Sequence, residues 1–131
     1  MITSYAPNGL PFIEIVLSSD TRTITRSALV DSGSTINVLP YEDGCDLGLS
    51  WETQRVPLKD EGFLAGAPVY GVLLTVSLAS FSPVQLAFAW TRKRREDVRL
   101  ILGQVNFFEH FDVTFRGREK TVEIVPSVSS S

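Results

Sequence analysis

The feature that most constrains the fold is an acidic turn between two short apolar runs, within residues 28–40. Ala-Leu-Val leads into Asp-Ser-Gly-Ser at residues 31–34, and Ile-Asn-Val-Leu follows before Pro40. A carboxylate at the end of a buried strand is costly unless it is hydrogen-bonded or protonated. The two serines supply hydroxyl groups, and Gly33 allows a tight turn and a close approach of another backbone. Asp31 is therefore a candidate functional residue on a strand–turn–strand unit.

Two other interpretations of this turn stay open from the residues alone. An Asp-Ser-Gly turn at the end of a strand is common and needs no function. The same residues would also suit a phosphorylatable linear motif. That motif requires an exposed and flexible segment, and the apolar flanks at residues 28–30 and 36–39 argue against it.

Length and composition predict one globular domain. The 131 residues suffice for a real core, and 44% of them are hydrophobic. We expect an N-terminal extension at residues 1–9, the domain at 10–126 and a disordered tail at 127–131. The net charge of −3 gives no indication of a nucleic-acid or membrane-surface partner. No apolar run reaches the roughly 18 residues needed to span a membrane, no signal peptide is recognised, and Cys45 is the single cysteine. Together these features predict a cytoplasmic location.

Short β-prone runs separated by turn residues predict an all-β fold. We expect a hairpin at residues 112–126 and strands at 10–17, 21–30, 36–39, 51–58, 72–78, 83–90 and 98–102. Short helical segments are predicted after Pro40 and at residues 104–111. A glycine-rich segment at residues 59–71 indicates either a mobile loop that covers a site or an ordinary surface hairpin.

Other chemically active residues are better explained by structure than by function. His110 is the single histidine and no nucleophile motif accompanies it, so a structural or surface role is favoured. One histidine and one cysteine do not make a metal site of known ligand count, so we predict no metal and no cofactor. The four cations at residues 92–95 would suit an acidic partner. Neighbouring acids and the absence of interleaved aromatic residues favour a solvated loop instead.

Two stretches, taken together, carry a family resemblance. Residues 29–35, Leu-Val-Asp-Ser-Gly-Ser-Thr, and residues 100–103, Leu-Ile-Leu-Gly, flank the glycine-rich hairpin. This ordered set resembles the retropepsin-like aspartic proteases, which are single-domain relatives of pepsin and include the retroviral proteases. The resemblance covers residues 10–125 and implies a closed, mostly antiparallel β-barrel with one or two short helices and a flap hairpin.

The resemblance also implies roles for particular residues. Asp31 is the expected catalytic aspartate, and Ser32 and Gly33 complete the triplet, in which the hydroxyl braces the two active-site loops against each other. The expected substrate-binding residues lie after the triplet, in the flap around residues 62–70 and on the Ile-Leu-Gly strand: Ser34, Thr35, Val38, Phe63, Leu64, Gly66 and Ile101. Two positions depart from the family pattern. Gln104 stands where many members have a dimer-bracing arginine, and Thr35 stands where retroviral proteases carry an acid.

The expected chemistry requires a second carboxylate. One aspartate alone does not both activate a water and protonate the leaving amine, and aspartic proteases are the established example of two aspartates that share one proton. The chain has one Asp-Ser-Gly motif, and the apolar-strand context is missing from Asp20, Asp60, Asp97 and Asp112. We therefore expect a homodimer with Asp31 of each copy at the twofold axis.

The predicted function is an aspartic endopeptidase acting on a peptide or protein substrate. Two alternatives remain. The first is a retropepsin-like dimerisation or binding module without turnover; the intact Asp-Ser-Gly argues against it, and the missing arginine at position 104 keeps it open. The second is an unrelated small β-barrel that binds ligands, which would not pair two Asp31 residues.

Overall fold

A computed structural model describes residues 1–58 and 68–127, and most of its regular structure is β-strand. Two short helices are α1 (Tyr41–Asp46) and α2 (Phe107–His110), and a 3-10 turn spans Trp51–Thr53. The strands in chain order are β1 (Ile2–Ser4), β2 (Phe12–Ser18), β3 (Thr23–Val30), β4 (Asn37–Leu39), β5 (Val69–Ser77), β6 (Val84–Thr91), β7 (Ile101–Leu102), β8 (Phe111–Arg116) and β9 (Thr121–Pro126). Within the described residues, no helix is both long enough and apolar enough to cross a bilayer.

Six of these strands close into a barrel in the order β2–β3–β7–β4–β6–β5, and β5 pairs back onto β2. The β3–β7 and β4–β6 pairs are parallel, and the other four pairs are antiparallel. The arrangement confirms the prediction of an all-β, mostly antiparallel barrel with short helices.

The strand that matters most for the site is β7, which lies between β3 and β4. Leu29 and Val30 on β3 pair with Ile101 and Leu102 on β7 in parallel register. The apolar run at residues 100–102 is buried, as predicted for a strand covered on both faces. Both β3 and β7 end where the Asp-Ser-Gly turn begins, so the core fixes the position of the turn.

The core follows directly from the alternation of side chains along the strands. On β2, Ile13, Ile15 and Leu17 are buried and Glu14 between them is exposed, because successive residues point to opposite faces. The largest buried side chains, Trp90 and Phe88 on β6, fill the centre of the barrel. A fully buried side chain of this kind contributes about 1.5–3 kcal/mol to stability.

A second sheet, in the order β1–β9–β8, packs beside the barrel. It contains the predicted hairpin of residues 112–126 as β8 and β9. It also contains β1, which lies inside the predicted N-terminal extension and was not predicted as a strand. Three residues carry too little pattern to predict a strand, and β1 is formed by pairing with β9, as in Ile2 opposite Glu123.

The strand expected at residues 51–58 is wrong. The chain instead makes the 3-10 turn Trp51–Thr53, because the Trp51 ring packs at its edge against Tyr70 and Trp90, with centroids 4.8 and 5.0 Å away. After this turn, Pro57 makes one isolated bridge to Tyr70. The predicted flap falls mainly on residues 59–67 and the predicted tail mainly on 128–131, both outside the described residues.

Candidate active site

Asp31 lies at the first position after β3 and is half-buried. Its backbone N–H donates to the Leu102 carbonyl at 3.0 Å, which continues the parallel β3–β7 pairing by one residue. Its side-chain Oδ1 accepts from the Gly33 N–H at 2.9 Å, and its carbonyl accepts from the Ser34 N–H at 3.1 Å. The carboxylate is therefore oriented by its own turn and keeps one face open.

The segment after β7 supports the far side of the same turn. Gln104 N–H donates to the Ser34 carbonyl and Val105 N–H donates to the Thr35 carbonyl, each at 2.9 Å. Residues 102–105 therefore hydrogen-bond to the first residue of the Asp-Ser-Gly triplet and to the two residues that follow the triplet. This close crossing requires Gly103, since a Cβ there would lie 2.7 Å from the Ser34 carbonyl oxygen and against the Ile36 carbonyl oxygen.

A buried asparagine joins three segments beneath the turn. Asn37 is 0% exposed, and its Oδ1 accepts from the Gly103 N–H at 2.7 Å. Its Nδ2 donates to the Ala87 carbonyl at 2.9 Å and to Asn106 Oδ1 at 3.3 Å. Asn106 Oδ1 also accepts from the Ala87 N–H at 2.9 Å. Buried polar groups must find partners, and here they position β4, β6 and the end of β7.

Gln104 has a role that its sequence position alone did not predict. Its Nε2 donates to the Ser32 carbonyl at 2.9 Å, within the same chain. The residue at the position of the family arginine therefore braces the Asp-Ser-Gly turn from within the same chain. The only sequence signal for this contact is the departure from the family pattern at position 104.

Two grooves meet at Asp31. The first, with a volume of about 420 Å³, we call the charged groove because its lining includes Asp31, Ile101, Arg95, Glu96, Asp97 and Arg99. The second, of about 330 Å³, is lined mainly by apolar side chains, and its residues include Leu10, Pro11, Leu29, Asp31, Ser32 and Phe115. We call this second surface the Phe115 face. Neither Phe115 nor the charged residues were predicted to adjoin Asp31, since they are 64 or more positions away in the sequence.

The loop that lines the charged groove is fixed by ion pairs to α1. Asp43, whose side chain is 2% exposed, contacts Arg26 Nε at 2.9 Å and Arg95 at 3.3 Å. Burial alone would lower the pKa of the Arg26 guanidinium, but hydrogen bonds and charges from Asp43 and Asp46 raise it above its ordinary value. Arg95, one of the four cations at residues 92–95, is therefore paired with Asp43, whereas the sequence favoured a solvated loop.

A further contact at this loop involves Glu42. The Arg95 backbone N–H donates to Glu42 Oε1 at 2.8 Å. Burial alone would raise the pKa of Glu42, but this hydrogen bond and the nearby guanidinium lower it below its ordinary value of 4.5. Arg92 stacks over the rings of Tyr41 and Trp51 at 5.6 and 5.5 Å. The loop at residues 92–97 is thus held at several points beside Asp31.

The sequence-predicted binding residues occupy different environments. Ser32 and Thr35 are exposed beside Asp31, and Ile101 lines the charged groove. Ser34 is 9% exposed, and its hydroxyl donates to the Ile36 carbonyl at 2.7 Å. Val38 is 0% exposed and packs in a buried cluster with Ile101. The remaining predicted residues, Phe63, Leu64 and Gly66, lie outside the described residues.

A third surface feature was not predicted from the sequence. An apolar groove of about 420 Å³ has a lining that includes Ile36, Val56, Leu58, Leu73, Phe88 and Val105. Its lining residue Ile36 is five positions after Asp31 in the sequence, and four of its lining residues are exposed large hydrophobic side chains: Val56, Leu58, Leu73 and Val105. Among the described residues, no group of three or more potential metal ligands comes together.

The strand order, the short helices and the Asp-Ser-Gly turn supported by Ile-Leu-Gly together define the fold of the retropepsin-like aspartic proteases. The crystal structure of a retropepsin-like aspartic protease from Rickettsia conorii is similar to this chain, with a TM-score of 0.68. The comparison covers 93% of this chain and 86% of that chain at 16% sequence identity, so the likeness is one of fold. No protein-family model matches the chain, and no curated protein sequence matches it.

Proposed function

We propose that the chain is an aspartic endopeptidase whose active site forms when two copies bring their Asp31 carboxylates together across a twofold axis. The observation that carries this proposal is the Asp31 turn. It presents a carboxylate where two grooves meet and is hydrogen-bonded to β7 and to Gly33. The fold supports the proposal, because the similar chain from Rickettsia conorii is itself named an aspartic protease.

The proposed reaction uses the two carboxylates as one acid–base pair. Two carboxylates about 3 Å apart cannot both ionise, so they share one proton. The ionised member takes a proton from a water molecule as that water attacks the peptide carbonyl carbon. The protonated member donates to the carbonyl oxygen, and the leaving nitrogen then receives a proton as the C–N bond breaks. Asp31 of each copy plays one of these roles.

The substrate would be an extended peptide bound on the open side of the pair. Ser32 and Thr35 are exposed there, and Ile101 supplies an apolar wall. The flap expected at residues 62–70 would close over the peptide and exclude water. The single free cysteine, Cys45, is consistent with the reducing cytoplasmic compartment expected from the sequence.

The proposal is tested by incubating the chain with a mixed peptide library at acidic to neutral pH, with and without a pepstatin-type inhibitor. We expect inhibitor-sensitive cleavage that the Asp31→Asn variant lacks, while its circular dichroism and sedimentation match the unsubstituted chain. Asp97→Asn is the second variant, because Asp97 lines the same groove as Asp31. Asp20→Asn is the matched control, because Asp20 is an exposed aspartate between β2 and β3 that lines neither groove beside Asp31.

Each outcome of that experiment points to one interpretation. Cleavage that persists in Asp31→Asn removes this residue from the mechanism. Loss of cleavage in both variants would indicate a pair formed by Asp31 and Asp97 within one chain. A stable dimer that cuts no peptide would favour the binding-module alternative, which Gln104 in place of an arginine supports.

A further inference from the structure

The charged groove carries more ionised side chains than the proposed reaction uses. Besides Asp31, four charged residues line it: Arg95, Glu96, Asp97 and Arg99. The bond-breaking step needs only the shared carboxylates of the Asp31 pair. The other four charges lie beside the carboxylate where a peptide would bind, so they bear on which peptides the groove accepts.

The charge of Arg95 is already balanced within the chain. Its Nη2 lies 3.3 Å from Asp43 Oδ1 and 3.3 Å from Asp46 Oδ2. The same two carboxylates contact Arg26, at 2.9 and 2.6 Å. Two cations and two anions therefore form a neutral cluster, and Arg95 presents no unbalanced charge to a ligand.

Arg99 is a cation of a different kind. No carboxylate of the described residues forms an ion pair with it. Its guanidinium lies over the Phe12 ring, 5.8 Å from the ring centroid, where the negative face of the ring attracts a cation. This contact restricts the long side chain without neutralising its charge. Less rotamer freedom is therefore lost when an anion binds.

The alternation of side chains places Arg99 on the same face as Asp31. Leu29 on β3 is paired with Ile101 on β7, and a hydrogen bond from Leu29 N–H to the Leu100 carbonyl at 2.9 Å extends the pairing toward Arg99. Alternate residues share a face, so Asp31 lies with Leu29 and Arg99 lies with Ile101. The groove lining agrees, because it includes these four residues and omits the residues between them.

Glu96 and Asp97 are further along the chain from β7. They lie in a turn in which the Asp97 N–H donates to the Arg94 carbonyl at 2.8 Å. The two acids are five and four positions before Ile101, whereas Arg99 is two positions before it. Among the groove charges that make no ion pair with a described residue, Arg99 is therefore the nearest in the chain to the strand that supports the Asp-Ser-Gly turn.

We propose that Arg99 selects peptides that carry an acidic side chain within about four residues of the scissile bond, the length of extended chain that separates Arg99 from Asp31 along the groove. The inference rests on the proposed function, because it names the class of peptide that the Asp31 pair would cut.

Desolvation gives the physical reason for this choice. A bound peptide removes the Arg99 guanidinium from water, which is unfavourable unless the cation gains a partner. A glutamate or aspartate of the peptide supplies that partner, because a carboxylate accepts two parallel hydrogen bonds from a guanidinium. A neutral side chain leaves the cation unpaired, and a lysine repels it.

The test is the charge preference of peptide cleavage by the full chain. Peptides of mixed sequence are cut, and the products are identified by mass spectrometry. Peptides that are cut well are then synthesised with Glu, Gln or Lys at each of the four positions on either side of the bond. We expect kcat/KM to be about tenfold higher for Glu than for Gln at one or more positions, since hydrogen bonds between charged groups are strong.

Substitutions at position 99 test whether this residue is the source of the preference. Arg99→Gln should bring the Glu and Gln peptides within about twofold of each other, and Arg99→Glu should favour the Lys peptide. Arg99→Lys should keep part of the preference for Glu, because it retains the charge and loses the planar fork.

Arg118→Gln is the matched control. Arg118 is exposed between β8 and β9 and lines neither groove beside Asp31, so its substitution removes the same charge and should leave the preference for Glu unchanged. A preference for Glu that persists in Arg99→Gln overturns the proposal. Better cleavage of the Lys peptide by the unsubstituted chain also overturns it, and would assign the selectivity to Glu96 and Asp97.

Peptide binding separates failure of this proposal from failure of the proposed function. Fluorescently labelled peptide pools that differ only in Glu, Gln or Lys are titrated onto the Asp31→Asn variant, which retains Arg99. Tighter binding of the Glu pool, abolished by adding Arg99→Gln, supports the role of Arg99 even where the unsubstituted chain cuts no peptide and the proposed function alone fails. Cleavage without a charge preference overturns the role of Arg99 and leaves the proposed function intact. A chain that neither cuts nor binds the pools overturns both.

Discussion

Replacing Gly103 by alanine is expected to destabilise both the fold and the Asp31 turn. The new Cβ would lie 2.7 Å from the Ser34 carbonyl oxygen and against that of Ile36, and both atoms belong to backbone. Neither can move aside as a flexible side chain would. Overpacking of this kind costs about 1–3 kcal/mol. The shift would also strain the buried hydrogen bond from Gly103 N–H to Asn37, whose loss costs about 1–3 kcal/mol more.

The expected loss of about 2–6 kcal/mol is a large part of the roughly 5–15 kcal/mol that stabilises a typical domain. Urea unfolding followed by tryptophan fluorescence measures it directly. Gly117→Ala is the matched control, since a Cβ there meets nothing within 4 Å and the turn needs no positive φ. We expect the control to stay within about 1 kcal/mol of the unsubstituted chain, on the stabilising side. A Gly103→Ala variant as stable as Gly117→Ala would refute the close-crossing argument.

Two further substitutions test neighbouring parts of the structure by the same urea assay. Asn37→Ala leaves buried groups without partners and is expected to cost about 2–5 kcal/mol of stability. Its control, Asn8→Ala, loses one exposed hydrogen bond from Leu10 N–H and is expected to cost under about 1 kcal/mol. Similar losses for both variants would contradict the buried role of Asn37. Because the fold lowers the pKa of Glu42, its carboxylate contributes stability that is present above pH 4.5 and lost as the pH falls through the lowered value. The stability gap between the unsubstituted chain and Glu42→Gln should therefore be largest near neutral pH and shrink in acid, and a gap independent of pH would exclude the carboxylate as its source.

Local patterns were sufficient to predict much of the barrel. Alternation along β2 and the continuous apolar run at residues 100–102 predict their own burial, because each strand must hide one face or both. The helix after Pro40 is likewise local, with acids in its first turn at Glu42 and Asp43. In each case the signal and the structure lie within the same few residues.

The contacts that assemble the site are not local, which is why the sequence predicted them poorly. Asn37 bonds to Ala87 and Gly103, which lie 50 and 66 positions away. The position of Asn37 in an apolar strand indicates a buried polar side chain, but the sequence pattern does not identify its hydrogen-bond partners. Phe115 lines the same groove as Asp31, although β8 belongs to a different sheet from the strand that precedes Asp31. Trp51 looked like a strand residue because its aromatic partners, Tyr70 and Trp90, are distant in the chain.

The internal bracing of the turn determines what the proposed dimerisation would have to accomplish. Asp31, Gly33 and Ser34 are hydrogen-bonded within one chain, and Gln104 fixes the Ser32 carbonyl. In the proposed dimer, ordering of this turn would add little cost to association, since ordering a residue costs about 1–2 kcal/mol. The second copy would then supply the other carboxylate. If the proposed function holds, activity should follow the fraction of dimer and therefore the protein concentration.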